Sequence, residues 1–414
     1  MSTRRAGLAG YRVLPATAGW SYLIAAALGK LPSAMTPLAV LTLATGATGS
    51  LAVGGFAAAA AALGEAVGGP TSGNIADLWG QRNTLLLAVV VNVTILLTFT
   101  FGAGVFPDGV TVALAGLTGL TIPQVGALSR ARWLIMTPED THAALAYEGV
   151  SDELGYIVGP ALVGIIAVAV SPQAAMLGTA ALIAVFVTMF AFHPTHRLVP
   201  LRRDVRPTDE ERAVRGVGSL RRRALIGICL TGTVSMGVFF GGSQAGLTSF
   251  AAEMGVPDAG ALLYAVMAVG SSITTLSMVM LPAAIGPWVR WAVAGAGMFA
   301  GAIMLIAATD IPTVLVAGFV AGAFQGPMLL TIFAITGSLT EQGTGGFMMA
   351  LLNGGVVVGI GLGAAVAGQL GEVSGSGAAF GLVAAACALL FLLGIAAGVT
   401  AWVRRRQARV SSPA

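Results

Sequence analysis

Long apolar stretches separated by short polar breaks recur along the whole chain. A helix crosses a bilayer with about 20 predominantly apolar residues, and twelve stretches of this chain are of about that length. The predicted spans are residues 16–41, 51–72, 84–105, 110–130, 144–170, 174–192, 224–250, 260–282, 289–309, 313–339, 344–371 and 377–403. The pattern predicts an all-α integral membrane protein with 12 transmembrane helices.

The arginines lie in alternate polar breaks and near the two ends of the chain. The intervening breaks contain only acidic charges, at Asp108, Glu253, Asp258, Asp310 and Glu372. Because basic loops stay on the cytoplasmic side of a membrane, we expect both termini in the cytoplasm. The arginine-rich and alanine-rich composition favours a bacterial plasma membrane, that is, the inner membrane.

Composition agrees with a membrane protein, since 56% of the residues are hydrophobic and 9% are charged, against about 25% charged in soluble domains. The 58 glycines favour close packing of helices within lipid. Both cysteines lie in predicted spans and the three histidines in predicted loops. We therefore expect no disulfide, metal site or cofactor, no catalytic residues and no enzyme activity, and the scattered arginines do not predict a nucleic-acid partner.

A polar stretch rich in arginine, residues 193–223, separates two halves, 1–192 and 224–414. Several features of the first half recur 200 to 208 residues later. The paired positions are Gly155–Gly159 with Gly355–Gly359, Pro123 with Pro327, and Arg82 with Arg290. Such an internal repeat predicts two pseudo-symmetric six-helix bundles, with residues 193–223 as a solvated cytoplasmic linker and a basic tail after the last span.

Few charges lie inside predicted spans, where each costs about 2.5 to 3.5 kcal/mol at the bilayer centre. Lys30, the only lysine of the chain, is about 21 Å along the first predicted span. We predict that it contacts a ligand, a carboxylate or a gate within a cavity, with snorkelling to the interface as the alternative. Glu65 lies on a small-residue face about 10 Å nearer the interface, so a direct pair with Lys30 is doubtful.

The fifth predicted span begins with three carboxylates, Glu148, Asp152 and Glu153. Glu148 and Asp152 are four residues apart and share a helix face, whereas Glu153 points about 100° away from Asp152. We predict that Glu148 or Asp152 pairs with Arg130 or Arg132 and helps to close a cytoplasmic gate. Asp152 or Glu153 is the predicted proton carrier, and Lys30, Glu65, Asp152 and Glu153 form the predicted proton and substrate pathway.

The segment Gly73–Arg82 is predicted to be a short polar loop between the second and third spans. Its Gly73, Asp77, Gly80 and Arg82 resemble the signature of the major facilitator superfamily of secondary transporters, although Gln81 stands where that family often has a basic residue. The second half retains Gly286 and Arg290 of the signature, without the aspartate. With the charge pairs predicted above, this segment is expected to form a cytoplasmic gate made of Gly73, Asp77, Gly80, Arg82, Arg130, Arg132 and Glu148, with Asp77 as its latch.

Four residues of the fifth span, Gly155, Gly159, Pro160 and Gly164, resemble the signature of the proton-coupled antiporters of that superfamily. The segment from Arg130 to Trp133, followed by Glu148 and Asp152, is similar to a subgroup of bacterial efflux permeases. The resemblance implies alternating access and proton-coupled export of a small organic molecule.

Three alternatives remain open at this stage. One is a proton-linked importer or facilitator of a small solute, which has the same fold; Lys30 suits an anionic or zwitterionic solute, whereas the carboxylates of the fifth span suit a cation. The other two belong to another class of function: a nontransporting membrane sensor and a lipid flippase. The expected partners are a small-molecule substrate, protons and membrane lipids, and the expected state is a monomer.

Overall fold

The computed structural model describes residues 11–205, 209–256, 259–281 and 285–410. Within them the protein is almost entirely helical and contains no β-strand. The α-helices are α1 (Val13–Thr48), α2 (Leu51–Trp79), α3 (Gln81–Gly102), α4 (Asp108–Thr121), α5 (Val125–Met136), α6 (Thr141–Ala169), α7 (Pro172–Leu182), α8 (Thr188–Phe192), α9 (Asp209–Glu253), α10 (Gly260–Ser277), α11 (Pro287–Ala307), α12 (Ile311–Leu339), α13 (Gly345–Ser374) and α14 (Ser376–Val410).

The prediction of 12 transmembrane helices is confirmed, because 12 helical segments of the described residues are long and apolar enough to span a bilayer. The fourth span is built from α4 and α5, and the sixth from α7 and α8 joined by the π-helical turn Ile183–Val187. The first span is longer than predicted, Val13–Thr48 against 16–41. Pro32 and Pro37 lie inside this helix, and the backbone at Gly19 (φ 79°, ψ 159°) is not helical, so a kink separates its first residues from the rest.

The prediction of a polar loop at Gly73–Arg82 is wrong. Helix α2 continues through Trp79, and α3 begins at Gln81, so Gly80 alone separates the two helices. Gly80 has φ 93° and ψ 143°, a backbone conformation that glycine adopts at little cost. The change of direction between α2 and α3 therefore needs one residue, and the polar residues before it lie on the last turns of a helix.

The chain divides into two compact units, Met1–Pro207 with Thr340–Val358, and Thr208–Leu339 with Gly359–Ala414. The predicted division into residues 1–192 and 224–414 remains a prediction. The compact units differ from it because the first half of α13 groups with the N-terminal helices. In the first unit α1 packs against α2, α6 and α7, and α2 packs against α4.

Small residues set the distance between α2 and α4. A methyl group added at Gly64 would lie 2.1 Å from the carbonyl oxygen of Gly116, and one at Gly68 would lie 2.0 Å from that of Leu120. Such distances are far below van der Waals contact, so only glycine permits the observed backbone approach. The small face predicted around Glu65 is therefore a helix–helix contact.

The repeat predicted between the two halves has a structural counterpart within each unit. A methyl group at Gly159 of α6 would lie 3.0 Å from the Cβ of Ala34 on α1. In the second unit, a methyl group at Gly359 of α13 would lie 2.1 Å from the carbonyl oxygen of Val234 on α9. The paired glycines thus make the same kind of close contact with the first long helix of their own half.

The stretch predicted as a solvated linker is largely structured in its described part. Residues Pro194–Leu198 and Arg202–Asp204 form 3-10 turns, and α9 begins at Asp209, before the predicted end of the linker at residue 223. Thr195 is buried. Contacts with neighbouring helices, described below, order the first turn, which a charge-based prediction does not detect.

Candidate functional site

The first unit contains a buried cluster of opposite charges contributed by α1, α5 and α6. Lys30 of α1 lies 2.5 Å from Oε2 of Glu148 and 3.1 Å from Oδ1 of Asp152. Arg130 of α5 pairs with Oδ2 of Asp152. The prediction of a carboxylate partner for Lys30 is supported by this geometry, and snorkelling is excluded because Lys30 is only 8% exposed.

A break in the fourth span orients α5. Helix α4 ends at Thr121, and the backbone at Ile122 (φ −59°, ψ 130°) is not helical. Pro123 lacks an amide hydrogen and disfavours a helical conformation of the residue before it. The chain returns to helix at Val125, and α5 then carries the side chains that join the charge cluster on a single face.

That face of α5 follows helical spacing, with Gly126, Ser129, Arg130 and Trp133 at positions i, i+3, i+4 and i+7. Ser129 donates a hydrogen bond of 2.6 Å to Oε1 of Glu148, and the indole N–H of Trp133 donates one of 2.9 Å to the same oxygen. Together with Lys30 on Oε2, three donors hold Glu148. Its side chain has no exposed surface.

Asp152 is held differently from Glu148. Its partners are the two cations Lys30 and Arg130, one on each carboxylate oxygen. Its side chain is 19% exposed, whereas those of Lys30 and Arg130 are 7% and 3% exposed. Asp152 is therefore the member of the cluster with access to its surroundings. The structure bears out the expected shared face of Glu148 and Asp152, which both reach Lys30.

The predicted pairing of Glu148 or Asp152 with Arg130 or Arg132 is found between Asp152 and Arg130. Arg132 contacts neither carboxylate. Its Nε donates to Oε1 of Gln81 at 2.7 Å, and its Nη1 donates to Thr195 Oγ1 at 3.0 Å and to the carbonyl oxygen of Phe190 at 3.1 Å. Arg132 is fully buried, and its guanidinium lies 3.9 Å from the centre of the Phe190 ring.

Gln81 and Thr195 thereby gain a role that sequence reasoning missed. The amide at position 81, where a basic residue was expected from the family signature, accepts a hydrogen bond from Arg132. A second cation there would repel Arg132. Thr195 ties the first turn of the predicted linker to α5 through the same arginine. Beside it, burial and the positive charge of Arg132 lower the pKa of His193 below its ordinary value.

Asp77 lies in the last turns of α2 and caps the beginning of α13 within the first unit. Its Oδ1 accepts the backbone N–H of Gly346 at 2.9 Å, and its Oδ2 accepts that of Phe347 at 2.8 Å. A carboxylate at a helix N-terminus is stabilised by the unpaired amides and the helix dipole. Arg202 of the predicted linker adds a third contact, 3.7 Å from Oδ2.

The predicted gate residues therefore do not form one assembly. Asp77 contacts α13 and Arg202, whereas Arg130 and Glu148 belong to the buried charge cluster. Arg82 lies over the ring of Phe192, 4.6 Å from its centre, and forms no ion pair with Asp77, whose charged partner among the described residues is Arg202. The sequence could not separate these groups because it places them all near one end of their helices.

Close backbone contact supports the Asp77 cap. A methyl group at Gly73, one turn before Asp77, would lie 2.5 Å from the carbonyl oxygen of Gly346. Gly354 of α13 lies against Ala66, where a methyl group would be 3.2 Å from the carbonyl oxygen. Small residues therefore bring the end of α2 close to the first half of α13, and Gly73 is part of that contact.

Glu65, a predicted pathway residue, lies outside the charge cluster. Glu65 is 8% exposed on α2, and no hydrogen bond or ion pair of its carboxylate is found among the described residues; it does not reach Lys30. Glu153 is partly buried on α6. Of the four predicted pathway residues, the structure brings Lys30 and Asp152 together.

The antiporter-like residues of α6 are Gly155, Gly159, Pro160 and Gly164, and two of these glycines lie against α1. Gly159 meets Ala34 closely, and Gly155 lies in ordinary contact range of Leu31, at 3.9 Å from an added methyl group. An added methyl group at Gly164 would have no neighbour within 4 Å. Pro160 lies inside the helix. The glycines therefore explain how α6 approaches α1 next to the charge cluster.

The sequence model of the Major Facilitator Superfamily matches residues 18–309. No relative among curated protein sequences matches the chain. The human organic anion transporter MFSD10 is similar in structure, with a TM-score of 0.69 and 15% identity over 90% of this chain and 99% of that one.

Two proton symporters are similar in fold at equally low identity. The E. coli fucose:proton symporter FucP has a TM-score of 0.66 and 14% identity over 93% of this chain and 98% of that one. The proton:xylose symporter XylE has a TM-score of 0.65 and 13% identity over 90% and 94%. With its 12 candidate spans and a family match across most of its length, this chain belongs to the Major Facilitator Superfamily of transporters.

Proposed function

We propose that this protein is a proton-coupled secondary transporter of a small organic molecule, and that Asp152 exchanges the coupled proton. The observation that carries the proposal is the position of Asp152 between two buried cations with part of its side chain exposed. A group that couples proton and solute movement must bind the proton in one state and a charged partner in another. Asp152 has two charged partners, and the exposed part of its side chain gives a proton a route to its carboxylate.

Glu148 is a weaker candidate for the proton carrier. It accepts three hydrogen bonds, from Lys30, Ser129 and Trp133, and it is fully buried. Each bond to a charged acceptor is worth about 1.5 to 3 kcal/mol, so protonation of Glu148 would forfeit several favourable interactions. Glu148 therefore acts as the fixed counter-ion of Lys30, while Asp152 is the exchangeable one.

Export in exchange for protons is the mode that the α6 signature favours. Gly155 and Gly159 lie on the α6 surface next to α1, shortly after the carboxylate pair in sequence, and Pro160 follows them within the helix. A helix contact formed by glycines can shift with little steric resistance. A change in Asp152 at one end of this contact can thus alter the packing of α6 on α1.

Proton-linked uptake is the second candidate, and the cations of the cluster favour it. When Asp152 takes a proton, Lys30 and Arg130 retain one carboxylate, Glu148, among the four residues. Such a site prefers an anion together with the proton, so the two would move in the same direction. The names of two similar structures, both proton symporters, agree with this mode.

We further propose that Asp77 is a conformational latch on the cytoplasmic side. In this structure it caps the start of α13 with two hydrogen bonds, and such a cap can be broken and remade during alternating access. Asp77→Asn keeps the size of the side chain and removes its charge. We expect it to change the transport rate more than the solute affinity, and unchanged turnover would exclude the latch.

The proton-carrier proposal is tested in proteoliposomes with Asp152→Asn and its neighbour Glu153→Gln as the matched control. A growth-inhibition panel comparing expressing and nonexpressing cells supplies the solute to be assayed. We expect Asp152→Asn to abolish transport driven by a proton gradient while retaining solute exchange, and Glu153→Gln to retain both. Normal gradient-driven transport by Asp152→Asn would exclude Asp152 as the carrier. The sign of the internal pH change separates export by exchange from uptake.

A further inference from the structure

We infer that His193 senses pH on the side of the membrane that is predicted to be cytoplasmic. In its neutral form it holds the turn Pro194–Leu198 against α5, and a proton on its imidazole releases that turn and slows transport. The contact consists of His193, Thr195 and Arg132, and we call these three residues the clasp. The clasp lies outside the proposed proton site, since none of its residues belongs to the charge cluster.

The hydrogen bonds of the clasp assign His193 to its neutral form. A guanidinium only donates, so Thr195 Oγ1 accepts from Nη1 of Arg132 at 3.0 Å. The hydroxyl hydrogen of Thr195 is then directed to Nδ1 of His193, which lies 3.0 Å from Oγ1. The backbone N–H of Thr195 donates to the same nitrogen at 3.5 Å. Nδ1 therefore accepts two hydrogen bonds and carries no hydrogen of its own.

A proton on His193 breaks this arrangement. The neutral ring carries its hydrogen on Nε2, so an added proton goes to Nδ1, which the two donors of Thr195 face. A donor that faces a donor forms no hydrogen bond. The imidazolium also places a second positive charge close to Arg132. Protonation therefore turns the contact that holds Thr195 into a repulsive one.

No carboxylate compensates a second positive charge at the clasp. Neither Arg132 nor His193 takes part in an ion pair among the residues that the structure describes. Arg132 is fully buried, and its hydrogen-bond partners are neutral oxygens, those of Gln81, Phe190 and Thr195. Buried charges are stable only when they are compensated, so a proton on His193 is costly while the turn stays in place.

The titratable groups that neighbouring elements bring to His193 carry no negative charge at neutral pH. Tyr22 of α1 has its ring centre 5.3 Å from that of His193. Helix α5 contributes Arg132, the turn itself contributes His196, and Arg82 of α3 lies over the ring of the residue before His193. Burial and the charges of Arg132 and His196 lower the pKa of His193, in agreement with a neutral ring.

His196, three residues later, has the opposite hydrogen-bond requirement. Its Nδ1 lies 2.8 Å from the carbonyl oxygen of His193. Because a carbonyl oxygen only accepts, this Nδ1 carries a hydrogen. A further proton goes to Nε2 and leaves the bond to the carbonyl oxygen intact. Of these two histidines, only His193 loses its contacts when it is protonated.

Tyr22 connects the clasp with the charge cluster. Its ring packs edge-on against that of His193, and its hydroxyl forms a 2.8 Å hydrogen bond with Ser129 Oγ, which in turn donates to Glu148. Release of the turn removes this ring contact and one acceptor of Arg132, which lies on the same helix as Ser129. The expected effect on transport rests on the proposed function, in which Glu148 is a fixed counter-ion.

Hydrogen exchange of backbone amides tests the release of the turn, with the full chain in lipid nanodiscs. The protection factor of Pro194–Leu198 is measured at about pH 7.5 and about pH 5, on either side of the ordinary histidine pKa of about 6.5. We expect it to fall by about two- to tenfold at the lower pH, since loss of one hydrogen bond changes an equilibrium by this factor. Helix α11 of the second unit is the internal reference and should keep its protection.

Two variants assign the effect to one ring. His193→Asn does not titrate and keeps an acceptor for the backbone N–H of residue 195, because asparagine caps such turns through its side-chain oxygen. It should keep its protection at both pH values, whereas the matched control His196→Asn should lose protection as wild type does. Unchanged protection in wild type would overturn the clasp, as would a loss that persists in His193→Asn or disappears in His196→Asn.

Solute exchange in proteoliposomes, at equal pH on both sides, tests the effect on transport. Acidification should slow exchange by wild type and His196→Asn by about two- to tenfold more than exchange by His193→Asn. Equal pH profiles of the two variants would overturn the control of transport by His193. Failure of the proton-carrier proposal is a separate result, since it is measured as gradient-driven transport by Asp152→Asn.

Discussion

The replacement of Trp133 by phenylalanine tests whether Glu148 is an ionised acceptor in the buried cluster. Trp133 is fully buried, and its indole N–H donates to Oε1 of Glu148 at 2.9 Å. Trp291 in the second unit is an internal control. It is also fully buried, and its indole N–H donates at 2.8 Å to a neutral acceptor, the carbonyl oxygen of Leu390.

Both Trp→Phe changes remove one indole donor and the same side-chain atoms from a fully buried position. The cavity cost should therefore nearly cancel between them. A hydrogen bond to a charged group contributes about 1.5 to 3 kcal/mol and a neutral one about 0.5 to 1.5 kcal/mol. We expect Trp133→Phe to lower the free energy of unfolding by about 1 to 1.5 kcal/mol more than Trp291→Phe.

The assay is equilibrium unfolding in mixed micelles, followed by far-ultraviolet circular dichroism so that the lost tryptophan does not affect the signal. If the two units unfold in separate transitions, each variant should shift the transition of its own unit. Ser129→Ala removes the second neutral donor to Glu148 and should also destabilise the first unit. Equal losses for the two tryptophan variants would refute a charged acceptor at Glu148.

Three further predictions concern packing, pH and orientation. Gly73→Ala should lower the free energy of unfolding by about 1 to 3 kcal/mol because its methyl group meets the backbone of α13; Gly55→Ala, with no neighbour within 4 Å, is the control, and equal unfolding free energies would contradict the contact. The lowered pKa of His193 means that folding favours its neutral form, so its contribution to stability is full above the unfolded-state pKa of about 6.5 and is lost as pH falls; a His193→Gln variant that keeps the wild-type pH dependence would refute this. A membrane-impermeant maleimide should label Arg203→Cys only from the cytoplasm and Asp310→Cys only from outside, as the predicted orientation requires. Both native cysteines are buried and should not react, and labelling of both introduced cysteines from one side would overturn the orientation.

Part of the candidate site could be read from the sequence and part could not. Lys30 and Asp152 stood out because charges inside apolar spans are costly, and the four-residue spacing placed Asp152 beside Glu148. The choice of Glu148 over Glu65 as the carboxylate for Lys30 depends on which helices pack against α1. Periodicity within one helix does not contain that information.

The same limit explains the error at the end of α2. Gly73, Asp77 and Gly80 identified the family, but they predicted a loop, because glycine and charge between apolar stretches are typical of turns. The structure satisfies Asp77 with two amides of a helix that begins nearly 270 residues later. A helix can therefore continue through its polar end when donors from a distant part of the chain form hydrogen bonds with its charged side chain.

The sequence by itself determined the membrane class, the 12 spans, the superfamily and the short set of charged residues that must have partners. These follow from local chemistry, since lipid tolerates apolar helices and penalises isolated charges wherever they occur. Only the tertiary structure decided that Lys30 holds Glu148 and Asp152, that Arg132 belongs with Gln81 and Thr195, and that Asp77 caps α13. Those contacts arise from the close approach of helices far apart in the chain. Glycines allow that approach, and it brings together side chains that no local pattern relates.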